Sequence, residues 1–189
     1  MAKINNNYKK KKYIVSACLI GKSCFYDGTS RQDAAIKGLV DSGEAIALCP
    51  EELGGLKTPR PPSEIFAGSA EDVLKSKAFV FNKEGRDITI NIIKGSREFL
   101  NMANAYEIKK AILKARSPCC GKGKVYDGTF TNRLKSGNGV TTALLLKNGI
   151  KVFSDEEFLG GIRSINKKAS KSKVAKRNKG GKKKKTKRR

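Results

Sequence analysis

Histidine is absent from all 189 residues. That absence removes Ser-His-Asp and Cys-His catalysis, and it removes every zinc site that needs an imidazole. Acid–base work must then fall to Asp, Glu, Cys, Lys or Tyr. Long apolar runs are also missing. No stretch of 18 apolar residues occurs, so no membrane span is expected. The charged N-terminus leads into only a short apolar run, Tyr13 to Ile20, interrupted by Ser16 and Cys18. A secretory core with a cleavage site is not evident. The expected compartment is the cytoplasm, where thiols stay reduced, so the five cysteines point to a metal or to chemistry rather than to disulfides.

Acidic residues are missing from both ends. Met1–Lys12 carries five lysines and no acid, and Arg163–Arg189 carries 15 basic residues and no acid. The net charge of +24 therefore misdescribes the middle, where 21 basic residues face all 17 acidic ones. The length suits one domain. The expected organisation is a basic tail over 1–12, an α/β domain over 13–162, and a disordered Lys/Arg-rich tail over 163–189, because like-charge blocks repel and bury nothing. Such tails are expected to bind RNA or DNA nonspecifically by counterion release, or else simply to solvate the chain. The run KKKKTKRR would also read as a nuclear or nucleolar signal in a eukaryote.

Short β-branched runs alternate with helical patterns. Lys12–Ala17, Ala45–Leu48, Ile108–Ala115 and Ile150–Phe153 read as strands. Gln32–Ser42, Ile92–Ala103 and Gly139–Lys147 read as helices, and Ser154 as the cap of a last short one. Lys77–Phe81 and Arg86–Ile90 flank Asn82-Lys-Glu-Gly85 as a hairpin would. Strands alternating with helices imply a mostly parallel sheet with helices on both faces, and ligands bind such sheets outside the carboxyl ends of the strands. Three of the four strands run into cysteine-bearing loops. Folding would therefore gather Cys18, Cys49 and Cys119/Cys120 at one edge.

The cysteine segments are Cys18-Leu-Ile-Gly-Lys-Ser-Cys24, Cys49-Pro-Glu51 and Ser117-Pro-Cys-Cys120-Gly. The spacing matches neither a zinc ribbon nor a ferredoxin run. Placement carries the signal, since convergent thiolates suit soft metals, zinc or iron–sulfur. Structural zinc would want four closed ligands. Three thiolates, Cys18, Cys49 and Cys120, would leave one iron of a four-iron cluster open as a Lewis acid. Cys24 and Cys119 are further candidate ligands, or small buried hydrophobes. Glu51 and Ser117 share loops with the proposed ligands and form a candidate catalytic, proton-handling pair. Tyr26-Asp-Gly-Thr29 recurs as Tyr126-Asp-Gly-Thr129, either as two loops facing one pocket or as one turn used twice. Arg60, in a proline-rich stretch, is a candidate anion contact or an exposed arginine in a linker, and Asn138-Gly139 could present N–H groups to an anion, with simple helix entry the favoured reading.

Six segments in order carry a resemblance: Val15-Ser-Ala-Cys-Leu-Ile-Gly21, Cys24-Phe-Tyr-Asp-Gly28, Cys49-Pro-Glu51, Gly54-Gly-Leu-Lys-Thr-Pro-Arg-Pro-Pro62, Lys114-Ala-Arg-Ser-Pro-Cys-Cys-Gly121 and Tyr126-Asp-Gly128. Over Ile14–Phe158 the chain resembles the bacterial and archaeal thiouracil desulfidase family. That resemblance implies a Rossmann-like fold and a 4Fe–4S cluster on three cysteines. It implies a small thiolated substrate that loses sulfur from a thiocarbonyl in a non-redox substitution by water. A catalytic glutamate and serine, also implied, match Glu51 and Ser117. Cys119 stands where the family usually has the second serine of Ser-Pro-Ser-Cys-Gly, and the basic tails are not part of the family pattern. Two classes of function follow: an iron–sulfur-dependent desulfidase, or a noncatalytic metal or redox sensor that binds polyanions through its tails.

Overall fold

The structure is a computed structural model that describes residues 11–164. Four parallel strands form its sheet: β1 (Tyr13–Ser16), β2 (Ala45–Leu48), β5 (Lys110–Leu113) and β8 (Lys151–Ser154), in the order β2-β1-β5-β8. Each is a short, mainly apolar run, and the two central strands β1 and β5 are the most deeply buried, as strands covered on both faces must be. The register pairs Ile14 with Ile46 on one side and with Ala111 on the other, and Ala111 in turn with Val152. Three α-helices serve as crossovers: α1 (Ala34–Asp41), α4 (Thr89–Ala105) and α5 (Val140–Lys147). The chain moves one way from β1 to β2 and the opposite way afterwards. Right-handed crossovers then place α1 on one face and α4 with α5 on the other.

Side-chain alternation agrees with that division. Ile14, Ala111, Leu113 and Val152 join Ile92, Phe99 and Ala103 of α4 and Val140, Ala143 and Leu145 of α5 in the main core. Val15 and Ile112, the intervening residues, are fully buried outside that cluster, as is Ile36 of α1. Helix α1 starts at Asp33, whose carboxylate accepts the N–H groups of Ala35 and Ile36.

Smaller elements surround the carboxyl edge of the sheet. A 3-10 turn (Ala17–Ile20) follows β1, and the short helix α2 (Pro50–Leu53) follows β2. Strands β3 (Ser63–Phe66) and β4 (Phe79–Asn82) form an antiparallel ribbon, with the one-turn helix α3 (Ala70–Val73) between them. Strands β6 (Lys124–Tyr126) and β7 (Leu134–Ser136) form a second ribbon. The expected hairpin around Asn82–Gly85 is present but short. Gly85 N–H donates to Asn82 O in the turn, and the second arm is the Phe81–Asp87 bridge flanked by Asn82 N–H to Arg86 O and Ile88 N–H to Val80 O. The longer partner of β4 is β3, since the segment after Asp87 turns into α4, where Asp87 accepts from Thr89 N–H at 2.8 Å.

Residues 155–164 are helical, directly after Ser154, and Ser164 Oγ donates to Gly160 O at 2.9 Å. The proposed tails fall almost wholly on 1–10 and 165–189, which lie outside the described residues. Among the described residues no helix is long and apolar enough to cross a membrane.

Candidate functional site

Strands β1, β2 and β5 each deliver a cysteine just past their carboxyl ends. Cys18 sits in the 3-10 turn, Cys49 caps α2, and Cys119 and Cys120 lie in the loop after β5. Cys18, Cys24, Cys49 and Cys120 line one cavity of about 560 Å³, together with Glu51 and Ser117. The proposed ligands and the proposed acid–base pair thus share a wall. All five thiols are free; Cys49 is half-buried and the other four are buried.

Cys119 does not line the cavity. Its sulfur turns into the core, 3.2 Å from Thr141 Oγ1, which lies 2.8 Å from Ser96 Oγ. All three are fully buried. Cys119 therefore ends a buried polar chain between the loop, α4 and α5, and is the less suited of the two adjacent cysteines to hold a ligand.

The thiols crowd one another. Hydrogen bonding to Cys18, together with burial, pushes the Cys24 thiol up to about 12. Contact with Cys24, and then burial, drives Cys49 well above the ordinary thiol range. Contact with Cys119 and burial do the same for Cys120, partly offset by Ser16. Thiols held this close in poor solvent keep their protons until a cation replaces them. The donor set, sulfur from three loops facing a single cavity with no imidazole, fits a soft, thiophilic centre.

Glu51 is oriented by Arg60, whose Nε donates to Glu51 Oε2 at 2.5 Å. Arg60 also donates to Cys24 O at 3.1 Å, Thr58 Oγ1 at 2.9 Å and Lys57 O at 3.3 Å. Burial works against the Arg60 charge, but the Glu51 carboxylate more than offsets it and raises its pKa. The anion contact expected of Arg60 is thus internal, to Glu51. Glu52, the next residue, turns elsewhere, toward Lys22 at 2.5 Å and Thr58 at 3.2 Å.

Ser117 accepts two backbone N–H groups, from Cys119 and Cys120, each at 3.1 Å. Both lone pairs are spent on shaping the loop, so its O–H is what remains to offer a ligand. Asn138-Gly139 is a helix entry, the favoured reading of the sequence, and not an anion contact. The N–H groups of Gly139, Val140 and Thr141 donate to Gly121, Pro118 and Cys119 carbonyls, so this helix start holds the cysteine loop. Gly139 is required there, since a Cβ would sit 2.5 Å from the Cys119 carbonyl.

The two Tyr-Asp-Gly-Thr loops have the same geometry. Asp27 accepts from Thr29 N–H at 2.9 Å, and Asp127 from Thr129 N–H at 3.0 Å. Tyr26 and Tyr126 both line the cavity. The aspartate makes the turn and the tyrosine faces the site, so both sequence readings hold. Glu64 carries no expectation from the sequence. It is buried, lines the cavity, and accepts from Gly128 N–H at 2.7 Å and Phe130 N–H at 3.1 Å, pinning the second loop to β3. Its only sequence signal is a lone acid opening an otherwise apolar run after Pro62.

Comparison with known proteins agrees with this site. The family model for 2-thiouracil desulfurase matches residues 13–157. YbbK of Bacillus subtilis (strain 168) is 42% identical over 144 residues, covering 76% of this chain and 95% of YbbK. Among solved structures, the 4Fe–4S-dependent thiouracil desulfidase TudS superposes with a TM-score of 0.71 at 38% identity, covering 83% of this chain and 99% of that one. The α/β fold, the cysteine-lined cavity and these matches together place the chain in the 2-thiouracil desulfurase family.

Proposed function

We propose that this protein is an iron–sulfur-dependent desulfidase that removes sulfur from a thiolated nucleobase or similar small thiocarbonyl compound, with Cys18, Cys49 and Cys120 as the ligands of a 4Fe–4S cluster. The observation that carries the reading is the convergence of thiols from three strand ends on one cavity that also contains Glu51 and Ser117. Held by three thiolates, such a cluster supplies one soft Lewis-acidic iron for a sulfur atom.

The net reaction is hydrolytic. Water adds its oxygen to the thiocarbonyl carbon, the C–S bond breaks, and sulfur leaves as sulfide with no change in electron count. Glu51, with one oxygen held by Arg60, offers its other oxygen to the attacking water and takes its proton. Ser117, with its lone pairs committed to the loop, donates its O–H toward the substrate. Tyr26, Tyr126 and Phe130 supply flat apolar walls for a planar ring. The division into a basic tail over 1–12, a catalytic domain over 13–162 and a basic tail over 163–189 belongs to the same proposal. So do a cytoplasmic setting and nonspecific RNA or DNA binding by the tails. The alternative, a noncatalytic sensor, is not favoured by the family or the fold.

The decisive experiment is anaerobic purification, with iron and acid-labile sulfide analysis, followed by turnover of 4-thiouracil. Alanine at Cys18, Cys49 or Cys120 should abolish the visible iron–sulfur absorption. Glu51→Gln should keep that absorption and lose at least about a hundredfold in kcat, the scale of a lost general base. A reconstituted protein without labile sulfide would overturn the cluster. Full turnover by Glu51→Gln would overturn the role of Glu51.

A further inference from the structure

Cys24 is a buried thiol in the cavity wall for which the desulfidase reading has no use. Its sulfur is in hydrogen-bonding contact with those of both Cys18 and Cys49. Ligand atoms of Cys24, Cys49 and Glu52 all lie within 4.8 Å of one another. A cubane cluster draws its terminal thiolates from outward-pointing corners, one thiolate to each iron. A thiol wedged against two of those ligands is badly placed to serve as an independent fourth.

The spacing suits a single ion instead. Zinc binds thiolate sulfur at about 2.3 Å and carboxylate oxygen at about 2.0–2.2 Å, so the donors of a tetrahedral site stand roughly 3.5–3.8 Å apart. The cysteine and glutamate donors would need to close by about 1 Å to reach that spacing, within reach of small side-chain rotations. We propose that Cys24, Cys49 and Glu52 form a second metal site, mononuclear and specific for a soft divalent ion such as Zn²⁺, which shares Cys49 with the cluster and therefore excludes it.

The surroundings of Glu52 favour this use. Its ion pair with Lys22 joins side chains 28% and 56% exposed, and such surface pairs hold little energy, so Glu52 exchanges partners cheaply. Thr58 Oγ1 donates to the other carboxylate oxygen at 3.2 Å and orients it, as outer partners of metal ligands do. Arg60 donates to Cys24 O at 3.1 Å and fixes the loop that carries the thiol. Binding would expel the thiol protons without any electron transfer. Zinc on Cys49 takes a ligand that the cluster needs, so the three-donor zinc site and the substrate-binding iron cannot coexist. The zinc form is therefore an inactive form of the same chain.

Exclusion of the cluster rests on the proposed ligand set, but zinc binding does not. The test uses the full chain under anaerobic conditions, stripped of iron and titrated with Zn²⁺ against a chromogenic chelator. Wild type should take up one equivalent. Cys24→Ser should bind about tenfold or more weakly, yet still acquire the visible absorption of the cluster on reconstitution. Cys120→Ser should bind zinc as wild type does and fail to acquire the cluster. Zinc-loaded wild type should resist reconstitution until the chelator is added. Equal zinc affinity in wild type and Cys24→Ser, or equal loss in Cys24→Ser and Cys120→Ser, would overturn the site. If Cys24→Ser loses its far-ultraviolet dichroism, Glu52→Gln answers the same question, with weakened zinc binding expected and unchanged binding overturning the role of Glu52. Zinc held through Cys24 by a chain with no desulfidase activity would sink the proposed function and leave this site standing.

Discussion

Arg60 and Glu51 form an ion pair that water barely reaches, their side chains being 9% and 14% exposed. The guanidinium ties helix α2, through Glu51, to the loops of Cys24 and Thr58. Removing one partner of a buried pair leaves the other charge uncompensated, typically at a cost of about 3–5 kcal/mol. Arg60→Met should therefore lose about 3 kcal/mol in urea unfolding. The Arg60→Met, Glu51→Gln double variant should recover part of that loss, because it removes both charges. Strict additivity in this cycle would show that the two residues do not interact. At this scale the site is only partly legible in the sequence. The proline-rich stretch marks Arg60 as an anion binder, but the anion lies nine residues upstream in the same chain, and no local pattern reveals such a pairing. Ser117 is legible as a turn residue and as a site residue, and it is both. Glu64 is hidden because a single buried acid leaves no periodic trace.

Helix α2 carries Glu51 and lies backbone to backbone on α4. A Cβ on Gly95 would stand 1.7 Å from Pro50 O, and one on Gly54 would stand 2.0 Å from Asn91 O. Neither backbone can yield, so these glycines set the height of Glu51 above the sheet. Gly95→Ala should cost about 1–3 kcal/mol by overpacking and should lower kcat by pushing α2 outward. Gly38, inside α1, faces open space, and a methyl group added there would meet nothing within 4 Å. Gly38→Ala should stabilise the protein by about 0.5–1 kcal/mol through helix propensity alone and leave turnover unchanged. Similar melting shifts for the two variants would refute the close-contact argument. The parallel strands and their helices are legible at this scale, since each strand is a dense apolar run and three of the four end near a cysteine. The ribbons β3–β4 and β6–β7 are not. Their strands have three or four residues, several of them exposed, and their pairing is set by distant contacts such as that of Glu64 with the second tyrosine loop.

For the molecule as a whole, charge is the unusual quantity. The 15 basic residues of 163–189 bring no acid with them, and the core needs none of them for its sheet. Binding to RNA should therefore weaken steeply with salt, and a chain ending at Ser164 should show a shallower salt slope with the same visible absorption. Equal RNA affinity of the two chains at low salt would leave the tail no binding role. The proposed separation of core and tail rests on composition, whereas the order of the strands has to be read from the fold.

That order has a consequence in time. Cys18, Cys24, Cys49 and Glu52 are all translated before β5, and Cys120 follows Glu52 by nearly seventy residues. At cellular rates of synthesis a growing chain waits roughly 3–14 s between them. During that wait β1 has no neighbour on its β5 side, and only part of the thiol set exists. Under the proposed ligand sets, cluster delivery waits until Cys120 has been made, whereas the shorter nascent chain already carries every donor proposed for a single soft ion.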